Sequence, residues 1–269
     1  RRGPDDEGFF HDAAAGIALG HRRLSVIDLS PEGHQPMTSA SGRFVMVFNG
    51  EVYNHGAMRR ELAGHGAAFR GHSDTEVMLA AIEHWGLDAA LQRFIGMFAF
   101  ALWDRRARTL TLVRDRLGIK PLYYGWVGPL FVFGSELKAI TRVPGFDNAI
   151  NRDALCLLLR HNYINAPYSI YQGIRKLVPG TLLTVGTDMA RAPASEAVLS
   201  ASTRTYWSAR EVAEAGTVDR LRLPDAEAMD ALERVLRDAV ALRMEADVPL
   251  GAFLSGGVDS SLVVALMQA

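Results

Sequence analysis

Short apolar runs separated by turns dominate the first two hundred residues, and they restrict this part of the chain to a layered fold built on antiparallel strands. Asn49–Gly50 ends the first run and Asp104 ends the second. The second and third runs, and likewise the fourth and fifth, are joined by short turns, which predicts two hairpins. The predicted strands cover residues 43–48, 97–103, 109–113, 122–126, 130–133 and 181–185.

Helical patterns alternate with these strands. Residues 74–85 carry apolar side chains at spacings of three and four, and Gly86 follows as a helix terminator. Shorter helices are predicted over 136–142 and 152–162. Paired antiparallel strands combined with a few helices indicate an α+β domain.

The composition changes after residue 185. Residues 186–224 are rich in Ala, Ser and Arg with weak periodicity, which predicts surface loops and a linker. Residues 225–244 then predict a strongly amphipathic helix. Residues 248–254 predict a buried strand, followed by a Gly-rich turn and a helix, which is how a parallel α/β domain begins. We therefore expect a first domain over 1–207, a linker over 208–224 and the start of a second domain over 225–269.

Charge and cysteine content exclude several classes of protein. The net charge of −1 gives no attraction to nucleic acid, and no apolar run is long enough to span a membrane. Cys156 is the single cysteine, so an intramolecular disulfide and a cysteine-cluster metal site are excluded. Its leucine neighbours in a predicted helix favour a core position. The histidines lack metal-ligand spacing and are expected on surfaces or loops, so we predict no metal site. We expect a cytoplasmic protein.

The sharpest single motif is SGGVDSS at residues 255–261, directly after the predicted strand. Glycines let a backbone approach a phosphate closely, and the N-terminus of the following helix attracts it. The motif resembles the pyrophosphate-binding loop of the ATP-pyrophosphatase superfamily. A Gly/Ser turn capped by Asp259 is the structural alternative. The residues predicted to bind ATP are Leu254, Ser255, Gly256, Gly257, Val258, Asp259, Ser260 and Ser261.

Seven further segments occur in an order and spacing that resemble class II, N-terminal-nucleophile amidotransferases of the glutamine-hydrolysing asparagine synthetase family. Each segment alone is weak, but seven in order together with the phosphate loop are specific. The segments are RGPD (2–5), HRRLSVID (21–28), FNGEVYN (48–54), SDTE (73–76), GMFAF (96–100), RDRLGIKPLYY (114–124) and SELKA (135–139). The resemblance implies an α+β N-terminal-nucleophile glutaminase domain of stacked antiparallel sheets with helices, followed by the start of an α/β ATP-pyrophosphatase domain.

The resemblance also implies roles for individual residues. Asn49 and Gly50 match the oxyanion hole, Arg23 matches the arginine that binds the glutamine carboxylate, and Asp74 matches the carboxylate that binds its ammonium group. The family's nucleophile is an N-terminal cysteine with its own amine as base, and this sequence lacks it. Both ends of the sequence look cut, so we expect the chain as given to be inactive. The residues expected to bind glutamine are Arg23, Leu24, Ser25, Val26, Ile27, Asn49, Gly50, Glu51 and Asp74.

Structural alternatives exist for each of these assignments. An Asn-Gly pair at a strand end is otherwise a hairpin turn, Arg23 is otherwise a surface arginine, and Asp74 is otherwise the N-cap of its helix, a role that Ser73 can also fill. Arg114, Asp115 and Lys120 are expected to fix a turn rather than to act in chemistry.

The reaction implied by the resemblance converts aspartate, ATP and glutamine into asparagine, AMP, pyrophosphate and glutamate through β-aspartyl-AMP, with Mg²⁺ accompanying ATP. The expected partners are therefore the small molecules glutamine, aspartate and ATP, with no nucleic acid and no membrane, and a homodimer is left open. The rival predictions are an amide ligase with a different acceptor on the same scaffold and an inactive glutamine-binding module.

Overall fold

A computed structural model describes residues 3–268 of the chain. Arg1, Arg2 and Ala269 lie outside the described residues, and so does the part of the 2–5 motif that rests on Arg2. The strands are β1 (Asp6–Asp12), β2 (Ile17–Arg23), β3 (Met37–Thr38), β4 (Phe44–Val52), β5 (Gly96–Asp104), β6 (Thr109–Arg114), β7 (Tyr123–Val127), β8 (Leu130–Gly134), β9 (Ile174–Lys176), β10 (Thr181–Val185) and β11 (Thr203–Thr205). The α-helices are α1 (His55–Gly64), α2 (Asp74–Trp85), α3 (Leu87–Arg93), α4 (Leu137–Ile140), α5 (Arg152–His161), α6 (Thr187–Ala190), α7 (Glu196–Ser202), α8 (Ala209–Val218), α9 (Asp225–Ala241) and α10 (Val258–Gln268).

A six-stranded antiparallel sheet in the order β11-β10-β6-β5-β4-β3 forms the centre of the fold. Met46 and Phe48 of β4 pack on the side that carries α2, whereas Val45 and Val47 pack on the opposite side. This division follows from the alternation of side chains along a strand. Because both faces are covered, β4 is almost continuously apolar.

Two smaller antiparallel sheets complete the layers. β7 lies between β8 and β9 in a three-stranded sheet, and β1 pairs with β2 in a separate hairpin. Leu122 and Tyr124 from the β7 region and Leu19 from β2 belong to the same core cluster as Val45 and Val47. The two small sheets therefore cover the face of the central sheet opposite α2, which confirms the predicted stacked antiparallel sheets.

Local patterns predicted several elements correctly. The hairpins β5–β6 and β7–β8 form, and α2 begins after Ser73, whose hydroxyl accepts a hydrogen bond from the Glu76 N–H. Gly86, with φ +81°, ends α2. α9 also forms, but it ends at Ala241 rather than at Met244.

The turn after β6 is held as predicted. The Arg114 guanidinium donates to the carbonyls of Lys120 (2.8 Å), Leu177 (2.6 Å) and Gly118 (2.7 Å). The Asp115 carboxylate accepts from four backbone N–H groups, including that of Lys120 at 2.9 Å. Arg114 and Asp115 therefore satisfy the buried polar backbone groups of an irregular segment.

Other predictions are wrong. Residues 248–254 do not form a buried strand: they are in irregular conformation, and Phe253 and Leu254 are exposed. An extended segment becomes a strand only when a neighbour satisfies its N–H and C=O groups, and no described strand pairs with it. The stretch 186–224, expected as loops and linker, contains α6, α7, β11 and α8, and β11 joins the central sheet beside β10.

Two single residues also differ from expectation. Cys156 is exposed, so it is not a core cysteine. α5 buries Ala154, two residues earlier, instead. His55 is buried at the start of α1, where its Nδ1 lies 3.0 Å from the Val52 carbonyl oxygen.

Candidate functional site

A cavity of about 500 Å³ opens beside the last residues of β4. Its walls come from the end of β2 and the loop that follows, from β4, from the start of α2, and from the turn after β6. It holds the residues that carry the predicted chemistry, and a larger, mainly apolar cavity of about 980 Å³ adjoins it at His21, Phe48 and Asn49. The polar or charged residues lining the smaller cavity are His21, Arg22, Arg23, Gln35, Asn49, Glu51, Ser73, Asp74, Thr75 and Lys120.

Asn49 and Gly50 lie inside β4 and not in a turn, so both the predicted strand end at Phe48 and the hairpin alternative are wrong. The Asn49 Nδ2 group donates to the Ser135 hydroxyl at 3.2 Å. Gly50 has φ +154°, and a Cβ on it would lie 2.1 Å from the Met97 carbonyl oxygen. Only glycine therefore fits here, because β5 passes too close for any side chain.

The free edge of β4 faces the cavity. Phe48 N–H donates to Gln35 Oε1 at 2.7 Å, and Val52 N–H donates to Asp74 Oδ2 at 3.0 Å. N–H groups two residues apart in a strand point to the same edge, so the Gly50 N–H lies on this edge between them. On β5, Phe98 lies opposite Gly50, and the N–H and C=O of Phe98 bond to Asp115 rather than to β4. This agrees with a Gly50 N–H that points away from β5.

Arg23 is only 8% exposed and lines the cavity from the end of β2. Its guanidinium donates to the carbonyl oxygens of Ile27 (3.1 Å), Asp28 (2.5 Å) and Ser30 (3.3 Å). Gly33 makes room for it, since a Cβ there would lie 2.0 Å from Arg23 Nη2. Arg23 is therefore not a surface arginine: it holds the following loop in place as well as lining the cavity.

Three of the four residues of the segment 24–27 line the cavity. Leu24, Val26 and Ile27 line the cavity, whereas Ser25 lies outside the lining and its N–H donates to Asp5 Oδ2 at 2.8 Å. The loop is thus fixed at both ends by polar contacts.

Two neighbouring carboxylates, Glu51 and Asp74, also line the cavity. Asp74 is buried and is not the N-cap of α2, since Ser73 fills that position and leaves the Asp74 side chain directed at β4. Burial raises the pKa of Asp74 despite the hydrogen bond from Val52. Burial also raises the pKa of Glu51, and the nearby Asp74 raises it further. A cationic group bound between them would relieve this repulsion.

Comparison with known proteins identifies the family. Over residues 1–196 the chain matches the glutamine amidotransferase domain family, and over residues 231–269 it matches the asparagine synthase family. The chain belongs to the glutamine amidotransferase family. It is a homologue of glutamine-hydrolysing asparagine synthetases that covers the amidotransferase domain and a short synthase segment.

Individual relatives agree with this placement. The chain is 38% identical to a Mycobacterium tuberculosis protein assigned as a glutamine-hydrolysing asparagine synthetase, over 98% of this chain and 40% of that protein. It is 36% identical to asparagine synthetase (glutamine-hydrolysing) 1 of Bacillus subtilis, over 99% of this chain and 39% of that protein. It is also 34% identical to amidase chry2 of Gibberella zeae, over 99% and 37% respectively. The chain thus spans about 40% of the length of these curated relatives.

Two residues of this cavity escaped sequence reasoning. Gln35 is buried and joins two walls, because its Oε1 accepts from Phe48 N–H and its Nε2 donates to the Thr75 hydroxyl at 3.3 Å. His21 was expected on the surface, but its Nε2 lies 2.9 Å from the Phe48 carbonyl oxygen and burial lowers its pKa. No periodicity or spacing in a single sequence marks Gln35, since its partners are distant in the chain.

The phosphate-loop motif forms a compact turn before α10. Ser260 Oγ lies 2.9 Å from Ser255 Oγ and donates to the Gly257 carbonyl oxygen at 3.1 Å, while Gly256 adopts φ +79°. The predicted turn and helix are therefore present and the predicted preceding strand is not. Among the described residues, no group of three or more His, Cys, Asp or Glu side chains is arranged to hold a metal ion. No helix of this part of the chain is long and apolar enough to cross a membrane.

Proposed function

We propose that the cavity beside β4 binds free glutamine and that its walls promote hydrolysis of the side-chain amide. The observation that carries the proposal is the combination of the Gly50 edge and the Asn49 amide with one arginine and two carboxylates in a single cavity. Glutamine is a zwitterion, so a binding site needs both a cation and anions. Arg23 supplies the first, and Glu51 and Asp74 supply the second.

Binding and chemistry divide between these groups. Arg23 Nη2 already donates to two carbonyl oxygens, so Arg23 would attract the α-carboxylate through its positive charge and its remaining N–H groups, and Asp74 with Glu51 can hold the α-ammonium group. The side-chain carbonyl would then lie at β4, where Asn49 Nδ2 and Gly50 N–H can donate to the oxyanion. The raised pKa values of both carboxyl groups favour this arrangement, since an ammonium group stabilises their ionised forms.

The nucleophile implied by the family is the thiol of an N-terminal cysteine in the intact protein. Its sulfur attacks the amide carbon, forming the sulfur–carbon bond, and the carbonyl electrons move to the oxyanion. When the oxyanion collapses, the carbon–nitrogen bond breaks, and the nitrogen leaves as ammonia with the proton given up by the thiol, so a thioester remains. Water then cleaves the thioester to glutamate and the free thiol. The residues of this chain bind and orient the substrate and stabilise the oxyanion in both steps.

For the intact protein we propose glutamine-dependent formation of asparagine. The match of residues 231–269 to asparagine synthase and the glycine-containing loop 255–261 support an ATP-binding role for the second segment. Hydroxyls of Ser255, Ser260 and Ser261 and the N-terminus of α10 would hold phosphate oxygens, with Mg²⁺ arriving bound to ATP. Attack of aspartate on ATP releases pyrophosphate and gives β-aspartyl-AMP, and ammonia displaces AMP.

A second candidate is amide formation on another acceptor. The identity to amidase chry2 (34%) is nearly as high as the identity to the Bacillus subtilis asparagine synthetase (36%). Similarity over this part of the chain therefore does not choose the acceptor.

The intact protein tests both proposals. Incubation with glutamine should release glutamate, and addition of aspartate and Mg-ATP should give asparagine and one pyrophosphate for each asparagine formed. Absence of glutamate release would refute the glutaminase. Glutamate release without aspartate-dependent pyrophosphate would favour a different acceptor. Ammonium salts in place of glutamine measure the synthase step separately.

A further inference from the structure

Residues 243–247, which connect α9 to the phosphate loop, lie against the walls of the glutamine cavity. The Asp247 N–H donates to the Val26 carbonyl oxygen at 3.0 Å. In return, Asp247 Oδ2 accepts from the Asp28 N–H at 2.7 Å and lies 3.1 Å from His72 Nε2. A single carboxylate of the synthase segment thus contacts the loop after β2 and the residue that precedes the N-cap of α2.

Asp28 is the centre of this contact. It is fully buried with φ +59°, and its own carboxylate accepts from Ser30 N–H at 3.1 Å and from His72 N–H at 2.8 Å. Burial alone would raise the pKa of Asp28, but these hydrogen bonds and the nearby His72 ring outweigh it and lower the pKa. Its carbonyl accepts from Arg23, so the Asp28 backbone links Asp247 directly to the arginine of the cavity.

The connecting segment makes two further contacts, with residues that follow β4. The Arg243 guanidinium lies 4.5 Å from the Tyr53 ring centroid, and Glu245 Oε1 lies 3.5 Å from His55 Nε2. Tyr53 and His55 directly follow the end of β4. The connecting segment therefore also contacts the chain just after β4, next to the part of β4 that lines the cavity.

We propose that Asp247 is a positioning residue for the glutamine pocket, contributed by the synthase segment rather than by the amidotransferase domain. By fixing the backbone at Val26 and Asp28 and the ring of His72, it holds the loop of Arg23 and the start of α2 at the spacing that the substrate needs. The glutamine pocket is complete only when the connecting segment is docked. This inference rests on the proposed glutamine site.

The test uses the intact protein and three variants. Asp247→Ala removes both acceptor contacts, Asp247→Asn keeps one oxygen for the Asp28 N–H, and Asp230→Ala changes an exposed aspartate on α9 as the matched control. We expect Asp247→Ala to raise KM for glutamine about fivefold or more, the lower end of the range for coupled sites. The ammonia-dependent rate should be unchanged, Asp247→Asn should restore most of the glutamine KM, and Asp230→Ala should match the native protein.

A second measurement reports on the contact without glutamine. Hydrogen exchange of the amides in residues 24–28 should be faster in Asp247→Ala than in the native protein. An unchanged KM for glutamine in Asp247→Ala would overturn the proposal whether or not exchange changes, and so would parallel loss of the glutamine- and ammonia-dependent activities. If the native protein itself does not hydrolyse glutamine, the glutaminase proposal fails and this inference fails with it. If the native protein hydrolyses glutamine and Asp247→Ala has the same KM for glutamine, only this inference fails.

Discussion

Replacing Asp74 by asparagine separates its proposed role in binding from a role in folding. The amide keeps one oxygen at the position that accepts the Val52 N–H at 3.0 Å, and Ser73 continues to cap α2, so the local structure should persist. What is lost is the negative charge opposite the substrate ammonium. A hydrogen bond to a charged group contributes about 1.5–3 kcal/mol, so kcat/KM for glutamine should fall about tenfold or more.

The stability of the folded protein, unlike its activity with glutamine, should not fall in Asp74→Asn. Burial raises the folded-state pKa of Asp74, so the folded state binds the proton more tightly than the unfolded state. The stability gained from this group is present at low pH and is lost as pH rises through the folded pKa. At neutral pH the native carboxylate therefore disfavours folding, and Asp74→Asn should melt at the same temperature as the native protein or higher.

The assay compares glutamine-dependent and ammonia-dependent synthesis in the intact protein, together with thermal unfolding. Ser195→Ala is the matched control, because loss of the α7 cap, whose hydroxyl accepts from Val198 N–H outside the cavity, should cost about 1 kcal/mol of stability while leaving KM for glutamine unaltered. Equal loss of both activities in Asp74→Asn, or a lower melting temperature without an effect on glutamine, would refute the ammonium-binding role and indicate a purely structural one.

Three further predictions concern the same cavity. Asn49→Ala should lower kcat for glutamine hydrolysis by about 10²–10³ with a smaller change in KM, and a pure KM effect would argue against an oxyanion hole. Gly33→Ala should raise KM for glutamine and spare ammonia-dependent synthesis, because the new Cβ would lie 2.0 Å from Arg23 Nη2 and force the guanidinium to move. An unchanged KM for glutamine would show that Arg23 does not touch the substrate. KM for glutamine should rise as pH falls, since protonation of Glu51 and Asp74, whose pKa values are raised, removes the charge that holds the ammonium; a pH-independent KM would contradict this.

The elements that sequence reasoning found are those in which neighbouring residues carry the signal. The β5–β6 hairpin and α2 with its Ser73 cap and Gly86 end are examples. The β1–β2 hairpin was missed, because it buries few residues and shows little alternation of apolar and polar side chains. The predicted strand at 248–254 failed for the opposite reason: its apolar run is clear, but strand formation depends on a partner that the pattern cannot supply.

In the candidate site, too, some residues could be predicted from the sequence and others could not. Asn49, Arg23 and Asp74 were identified through motifs, and all three line one cavity. Gln35 and the contact between Asp28 and Asp247 were not predicted, because their partners are 13 and 219 residues away in the chain. Such contacts are set by the packing of whole elements, for which a single sequence has no local signature.

The position of the cavity follows from the short pairing of β3. β3 pairs with β4 only at Val45 and Met46, so within residues 3–268 no strand lies beside the edge of β4 from Phe48 to Val52. An exposed strand edge is ordinarily a liability, and buried backbone groups need partners. Side chains supply them at Phe48 and Val52, through Gln35 and Asp74, and the intervening Gly50 N–H remains directed at the cavity. The same arrangement that satisfies the edge thus presents one backbone donor to a ligand, between a neutral amide and a carboxylate. In the register of β3 with β4, lengthening β3 by four residues, back to Gly33, would cover Phe48 and Gly50. The fold and the proposed oxyanion hole therefore depend on the same interruption of the sheet.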